Sequence, residues 1–454
     1  MNDPVLIEVV SPIDGAVVAT VAESTPAEVK AVVDAARAAA PAWAATSVEE
    51  RAAVLDRWAE AVEVHGDEIA AAVSREMGMP ARLAQITQVE LVANSLRSTA
   101  QAARDFPWTR KHDGFEVQHM AAGVVAAITP WNFPVYQCVT KLAPALAAGC
   151  GVVLKPSELA PTGPETFVEL GITAGVPAAV IGLVHGRGAI TGEALVTADG
   201  IDVVSFTGST AAGGRVGALA AERIRRVALE LGGKSAGVVL DDADLDEVVP
   251  RAVRAAFLNT GQACNAPTRL LYPRRAQAQV EALAAATVDA TAVGPGADLG
   301  PLAGPAQHAR VTGFITRALA DGARVVGGTV PGTDDLAPPY VSPLVLADVA
   351  RDAEIAREEV FGPVLVLLPY DDDTDAIALA NATDYGLSAE IWGTDPARIA
   401  TVASGLRAGQ VKVNGVRTRT RPGAPFGGFG RSGIGRELGE WGLAEFLEVK
   451  AVLA

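Results

Sequence analysis

The sequence predicts an α/β protein with one doubly wound, parallel-sheet domain, a second α/β domain and a small β arm. Three observations carry this. The chain of 454 residues exceeds the size at which a single hydrophobic core stops growing. Half of its residues are hydrophobic but only 5% are aromatic, a mixture rich in Ala, Val, Leu and Gly that suits packed sheets and helices better than an aromatic-rich sandwich. Short apolar runs alternate with helical stretches through most of the chain, as expected of strands buried on both faces and joined by crossover helices.

The elements follow in order. From about Thr25 to Asp105, apolar residues recur every three or four positions in segments such as PAEVKAVVDAARAAAPAW and SVEERAAVLDRWAEAVEVH, which predicts helices. Thr25 followed by Pro26 reads as one helix start, and Ser47 with Glu50 as a capping box at another. Strand candidates follow at 124–128, 152–154, 180–184, 203–206, 227–229 and 236–240, a series that predicts a doubly wound nucleotide-binding domain. A second alternating region, with strands at 325–326, 364–368, 388–392 and 411–413, predicts a separate α/β catalytic domain. WTRKHDGFEVQHM, residues 108–120, reads as a hairpin arm and the terminal EVKAVLA as a last strand, both suited to pairing between subunits in a homodimer or homotetramer. The domains expected are 1–107 with 122–231 for nucleotide binding, 232–430 for catalysis, and 108–121 with 437–454 for oligomerisation.

Composition excludes several functions. A formal charge of −16 repels a phosphate backbone, and no basic run interleaved with aromatics marks a nucleic-acid groove. The five histidines, His65, His112, His119, His185 and His308, lack any metal-ligand spacing, so no metal is expected. Cys138, Cys150 and Cys264 are too few and too far apart for a disulfide framework, which fits a reducing compartment. No stretch approaches the roughly 20 apolar residues of a membrane span, and MNDPVLIEVV lacks the pattern of a secretory leader. A cytoplasmic protein with no membrane partner is the expectation.

Several segments could carry chemistry. In Asn259-Thr260-Gly261-Gln262-Ala263-Cys264, a thiol sits in a polar, glycine-containing loop, where a nucleophile is useful; the competing reading is a small buried hydrophobe, which suits Cys138 and Cys150 in their Ala/Leu-rich surroundings. In VALELGGKS, Glu230 ends an apolar strand before two glycines, at the edge where parallel sheets bind ligands. An apolar pocket there raises a carboxyl pKa toward general-base work; a surface Glu paired with Arg is the alternative. TPWNFP follows a strand, and its prolines can fix Asn132 as a donor toward an oxyanion, or form a merely structural turn. Phe206-Thr207-Gly208-Ser209-Thr210 joins a strand to a helix pattern beginning at Ala211, and amides at such an N-terminus can receive pyrophosphate. Gly186, Gly188 and Gly192 approach the G-x-G-x-x-G fingerprint with different spacing. Lys155 and Glu158 of KPSE, at another strand end, can both reach ribose hydroxyls.

Taken jointly, TPWNFP, KPSE, FTGST, LELGGK, GQAC, EEVFGPV and PFGGFGRSGIGRE occur in the order and at about the spacing of the aldehyde dehydrogenase superfamily, and the resemblance covers nearly the whole chain. It implies the NAD(P)-dependent, hydrolytic type of that family. Cys264 would attack the aldehyde carbon, with Asn132 and the Cys264 N–H holding the oxyanion. Glu230 would activate the water that hydrolyses the thioester, and Lys141 would help relay protons. It further implies that Lys155 and Glu158 hold the adenosine ribose, that Ile128, Trp131, Gly188, Gly208, Ser209 and Leu231 line the dinucleotide site, and that Glu359 and Phe361 position the nicotinamide ribose and ring. A carboxylate at Glu158 accepts a ribose 2′-hydroxyl but repels a 2′-phosphate, so NAD is expected over NADP.

The sequence departs from the family at Gly430, where relatives commonly carry Lys, at Ala211, which replaces a frequent acidic residue, and at a somewhat short N-terminus. The implied substrate tunnel runs near Val135, Tyr136, Thr140, Ala263, Asn265 and the 416–421 loop leading to Phe426. Arg417, Arg419 and Arg421 of that loop could clamp an anionic aldehyde, or simply mark a solvated edge or subunit contact. The rival functions are a CoA-acylating dehydrogenase, against which Glu230 argues; an inactive binding or structural relative, which would have lost nucleophile or base; and a cysteine hydrolase, which would need a histidine partner for Cys264.

Overall fold

A computed structural model describes residues 4–416 and 421–453; Arg417 and Arg419 lie outside the described residues. Two capping boxes open the helical region. Thr25 Oγ1 accepts from the Glu28 N–H at 3.3 Å while Glu28 accepts from the Thr25 N–H at 2.8 Å, and Ser47 and Glu50 repeat the exchange at 3.1 and 2.7 Å. They start the helices Pro26–Ala44 and Val48–Val64. Gly66–Met77 follows, then one continuous helical run: Ala81–Ala84, a π-turn Gln85–Glu90, and Leu91–Asp105.

The first sheet has six strands. Val124–Ile128 (β5) lies at its centre, with Gly151–Lys155 (β6) and Ile181–Leu183 (β7) on one side and Val203–Thr207 (β8) and Arg226–Glu230 (β9) on the other, all parallel. A short antiparallel strand, Gly433–Ile434 (β17), closes the β9 edge. Side chains alternate along β5: Val125 and Ala127 join the core formed with the helices Val48–Val64, Leu91–Asp105 and Pro134–Ala148, whereas Val124, Ala126 and Ile128 pack with Val29, Val33, Val216 and Leu219. Both faces are therefore covered, which is why these strands read as unbroken apolar runs.

The second sheet has seven strands in the order Arg324–Gly328 (β12), Leu344–Ala347 (β13), Val364–Tyr370 (β14), Arg269–Pro273 (β11), Ala236–Val239 (β10), Ser388–Trp392 (β15) and Gln410–Val413 (β16), antiparallel only between β12 and β13. Here the structure corrects one expectation. The 236–240 strand, grouped with the first series, belongs to this sheet, because the chain crosses over at Gly232-Gly233. β11, β13 and an N-terminal ribbon of Leu6–Val10 (β1) with Val17–Ala22 (β2) are additional.

Thr109–His112 (β3) and Phe115–Ala121 (β4) form the expected hairpin, and Leu447–Leu453 (β18) pairs antiparallel with β4 along its whole length. Among the described residues, no helix is long and apolar enough to cross a membrane.

Candidate active site

Strand order in the first sheet reverses between β5 and β8, and the crevice at the carboxyl end of such a switch point is where open α/β sheets bind ligands. Ile128 ends β5 and Trp131 follows it, Lys155 ends β6 and Glu158 follows it, Gly188 opens a π-turn after β7, Gly208 and Ser209 follow β8, and Glu230 ends β9 with Leu231 next. The sequence-predicted residues of this sheet thus share one edge. Cys264 and Glu359 precede β11 and β14, at the opposite edge of the second sheet, and side-chain hydrogen bonds tie the two edges together.

The thiol loop shows how. Asn132 Nδ2 donates to the Gln262 carbonyl at 2.9 Å, and Asn259 Nδ2 donates to the Asn132 carbonyl at 2.9 Å. Gln262, fully buried, donates to the Asn259 carbonyl at 3.1 Å and accepts from the Ala303 N–H at 2.9 Å. A Cβ on Gly233 would lie 2.5 Å from the Cys264 carbonyl oxygen, so glycine is what lets the β9–β10 crossover pass behind the thiol. Cys264 itself is partly exposed. Crowding by protein atoms, with the Glu359 and Glu230 carboxylates nearby, pushes its thiol up to about 12.

Glu230 is 4% exposed, and its Oε2 has no hydrogen-bond partner among the described residues. Burial, reinforced by Glu437, holds its carboxyl well above the usual carboxylate range, while Lys141 and Arg436 pull the other way. Lys141 is buried and pairs with Glu437 at 2.5 Å. Cys264, Glu230, Asn132 and Lys141 therefore occupy one neighbourhood.

Around the crevice, Lys155 Nζ lies 2.8 Å from the Pro156 carbonyl and 3.4 Å from Glu158, with burial lowering its pKa. A Cβ on Gly188 would meet nothing within 4 Å, which leaves that turn open to a ligand. Ser209 caps the helix Thr210–Ala221, starting one residue before the expected Ala211, and accepts from the Ala212 N–H at 3.2 Å. Trp131 and Phe361 meet edge to face with ring centroids 5.6 Å apart. Glu359 accepts from the Gly233 N–H at 3.0 Å, and burial raises it to about 7. An open glycine turn at Gly188, a helix N-terminus and a Lys/Glu pair along one edge fit a dinucleotide.

The aldehyde dehydrogenase family profile matches residues 2–452. The chain belongs to the aldehyde dehydrogenase family. At the level of that family, the activity is oxidation of an aldehyde with a nicotinamide dinucleotide, NAD, as hydride acceptor. Among similar proteins, 3-succinoylsemialdehyde-pyridine dehydrogenase of a Pseudomonas species is 41% identical, the match covering 98% of this chain and 94% of the relative. Geranial dehydrogenase of Castellaniella defragrans is 39% identical over 90% and 87%. A mutant of aldehyde dehydrogenase C from Pseudomonas syringae, solved with NAD+ and octanal, superposes with a TM-score of 0.96 at 44% identity, covering 99% of this chain and 94% of that one. An NADP-dependent enzyme of E. coli superposes at 0.95 with 35% identity, covering 99% and 94%.

Several residues of this dehydrogenase's site were not singled out from sequence. Glu437 lies inside the quoted PFGGFGRSGIGRE motif, but nothing local announces a carboxylate that pairs with Lys141 across the fold. Asn259 and Gln262 flank the thiol in plain view, and their partners are also remote. Gly430 adopts φ +59°, and a Cβ there would sit 2.6 Å from the Asp384 carbonyl oxygen, so glycine suits this turn.

Proposed function

We propose that this aldehyde dehydrogenase works by covalent catalysis on Cys264, with Asn132 as oxyanion donor, Glu230 as base and NAD preferred over NADP. The hydrogen bond from Asn132 Nδ2 to the Gln262 carbonyl carries the reading. One amide hydrogen anchors the side chain two residues from the thiol, and the other is left for an oxygen developing charge beside Cys264.

A thiol at about 12 is protonated at neutral pH, so it needs a base before it attacks. Glu230, itself raised by burial and near enough to raise the Cys264 thiol, suits that task. The thiolate adds to the aldehyde carbon, forming a C–S bond, and the oxyanion accepts from Asn132 and the Cys264 N–H. When bound, the nicotinamide dinucleotide supplies the hydride acceptor. Hydride loss from the thiohemiacetal carbon leaves a thioester on Cys264. Glu230, once it has passed the thiol's proton on to solvent, takes a proton from a water that adds to that carbonyl; the C–S bond breaks, the Cys264 thiolate is returned, and the acid leaves. Lys141, paired with Glu437 beside Glu230, helps carry the proton away.

Lys155 and Glu158 are the residues that would hold the adenosine ribose, with Gly208 and Ser209 at the pyrophosphate and Glu359 and Phe361 at the nicotinamide end. Glu158 favours a 2′-hydroxyl over a 2′-phosphate. Val135, Tyr136, Thr140, Ala263 and Asn265 would line the aldehyde tunnel. The exposed Val449 and Leu453 of β18 suit pairing with a second copy, and three free thiols suit a reducing cytoplasm. Aliphatic, aromatic and carboxylated aldehydes offered with NAD and with NADP test the reading. Higher kcat/KM with NAD, and no turnover in Cys264→Ala, are expected; turnover in Cys264→Ala would refute it.

A further inference from the structure

The helix Pro134–Ala148 carries Tyr136 and Lys141 and begins two residues after Asn132. Its N-cap, Phe133, offers no side-chain acceptor, and its first intrahelical bond runs from the Gln137 N–H to the Phe133 carbonyl at 2.8 Å. Pro134 has no N–H, so the orphan donors of this first turn are the N–H groups of Val135 and Tyr136. Val135 is fully buried and Tyr136 partly so, and an unmet donor in such a place is costly.

A single distant atom meets both. Gln88 Oε1 accepts from Val135 N at 3.0 Å and from Tyr136 N at 3.1 Å. Gln88 is fully buried, and its Nε2 donates to Thr87 Oγ1 at 2.9 Å, which in turn donates to the Leu83 carbonyl at 2.8 Å. It sits in the π-turn Gln85–Glu90, flanked on both sides by regular α-helix. Such wider turns recur at functional sites because they re-aim side chains out of the helical register.

We propose that Gln88 is a positioning residue for the aldehyde centre: delivered by the π-turn, its amide caps the helix 134–148 from outside and so sets where Asn132 and Tyr136 stand relative to Cys264. This rests on the reading of Asn132 as oxyanion donor. Hydrogen-bond donors act on a developing charge only when their position is held, and a displacement of about 1 Å can cost about a hundredfold in rate. An amide oxygen with two lone pairs serves two adjacent N–H groups, and a glutamate does the same, favoured by the helix N-terminus. A methionine of similar size serves neither.

The test compares Gln88→Met and Gln88→Glu in the full-length enzyme by hydrogen–deuterium exchange over residues 133–141, by the rate of NADH formation in the first turnover, and by NAD affinity. Gln88→Met should speed exchange there and slow the first turnover by about tenfold to a hundredfold, with NAD affinity unchanged. Gln88→Glu should restore both. In an Asn132→Ala background, Gln88→Met should cause little further loss. Unchanged exchange in Gln88→Met, lost protection with an unchanged first turnover, or a full further loss beside Asn132→Ala overturns the proposal. If Gln88→Met does not fold, fast exchange at 135–136 in the wild type, or a slowed first turnover in Gln88→Glu, overturns it instead. Wild-type rates in Asn132→Ala would refute the oxyanion reading, while the exchange result judges the cap independently.

Discussion

Asn259 donates its side-chain amide to the main-chain carbonyl of Asn132 at 2.9 Å, and Asn132 returns the favour two residues before the thiol, to Gln262. The clasp holds a strained turn: Asn259, Thr260 and Gly261 have φ of 51°, 58° and 71° in succession. Left-handed backbone costs an L-residue about 1–2 kcal/mol, and Thr, being β-branched, is least suited to it. The Thr260 hydroxyl, donating to the Gly300 carbonyl at 3.1 Å, helps hold the conformation. At Gly261 a Cβ would lie 2.1 Å from the Gly362 carbonyl oxygen. Strain of this kind persists where a loop must be preorganised.

Asn132→Ala should therefore lower kcat by about 10²–10³-fold, the loss seen when one oxyanion donor is removed, with a smaller change in KM. Initial rates on one good aldehyde substrate measure this. A kcat within twofold of wild type would show that the amide does not face the reacting oxygen.

The pH dependence of turnover follows from Glu230. Its carboxyl must be ionised to take a proton, and burial raises its pKa. The active form accumulates only as pH climbs past that raised value, so log kcat should rise with pH and level off above the range of an ordinary glutamate. An acid limb near the usual value of 4.5 would show that the titrating base is not this buried group.

Legibility from sequence divides along the range of the interactions. Strands β5, β6 and β8 are readable because burial on both faces leaves near-continuous apolar runs, and both helix starts because capping boxes are local. An apolar run does not say which sheet it joins, so Ala236–Val239 reads with the first series even though Gly232-Gly233 precedes it, and only the fold assigns it to the second sheet. The site's chemistry was legible through motifs in order. Its scaffolding was not: Gln88 on Val135, Glu437 on Lys141 and Asn259 on Asn132 act over 47, 296 and 127 positions, and no local pattern encodes such pairings.

Away from the thiol, Glu76 is buried and accepts from the Thr162 N–H at 3.1 Å, and burial raises it from 4.5 to about 7. The protonated form is favoured in the folded state, so this contribution to stability is complete below about 4.5 and is lost as pH rises through about 7. Glu76→Gln should thus be more stable than wild type at pH 8, by an amount on the order of 3 kcal/mol, with the gap narrowing toward pH 5. Denaturant melts at both pH values decide. A gap independent of pH would remove Glu76 as the cause.

The most direct measurement of the central claim is the product of a single NAD turnover by Glu230→Gln, followed by NADH absorbance and by the intact mass of the protein. One equivalent of NADH per site, formed more slowly than in the wild type because the thiol has lost its base, then a stalled steady state and an acyl adduct on Cys264 are the predicted result. Undiminished steady turnover, or an adduct on any residue other than Cys264, would contradict it.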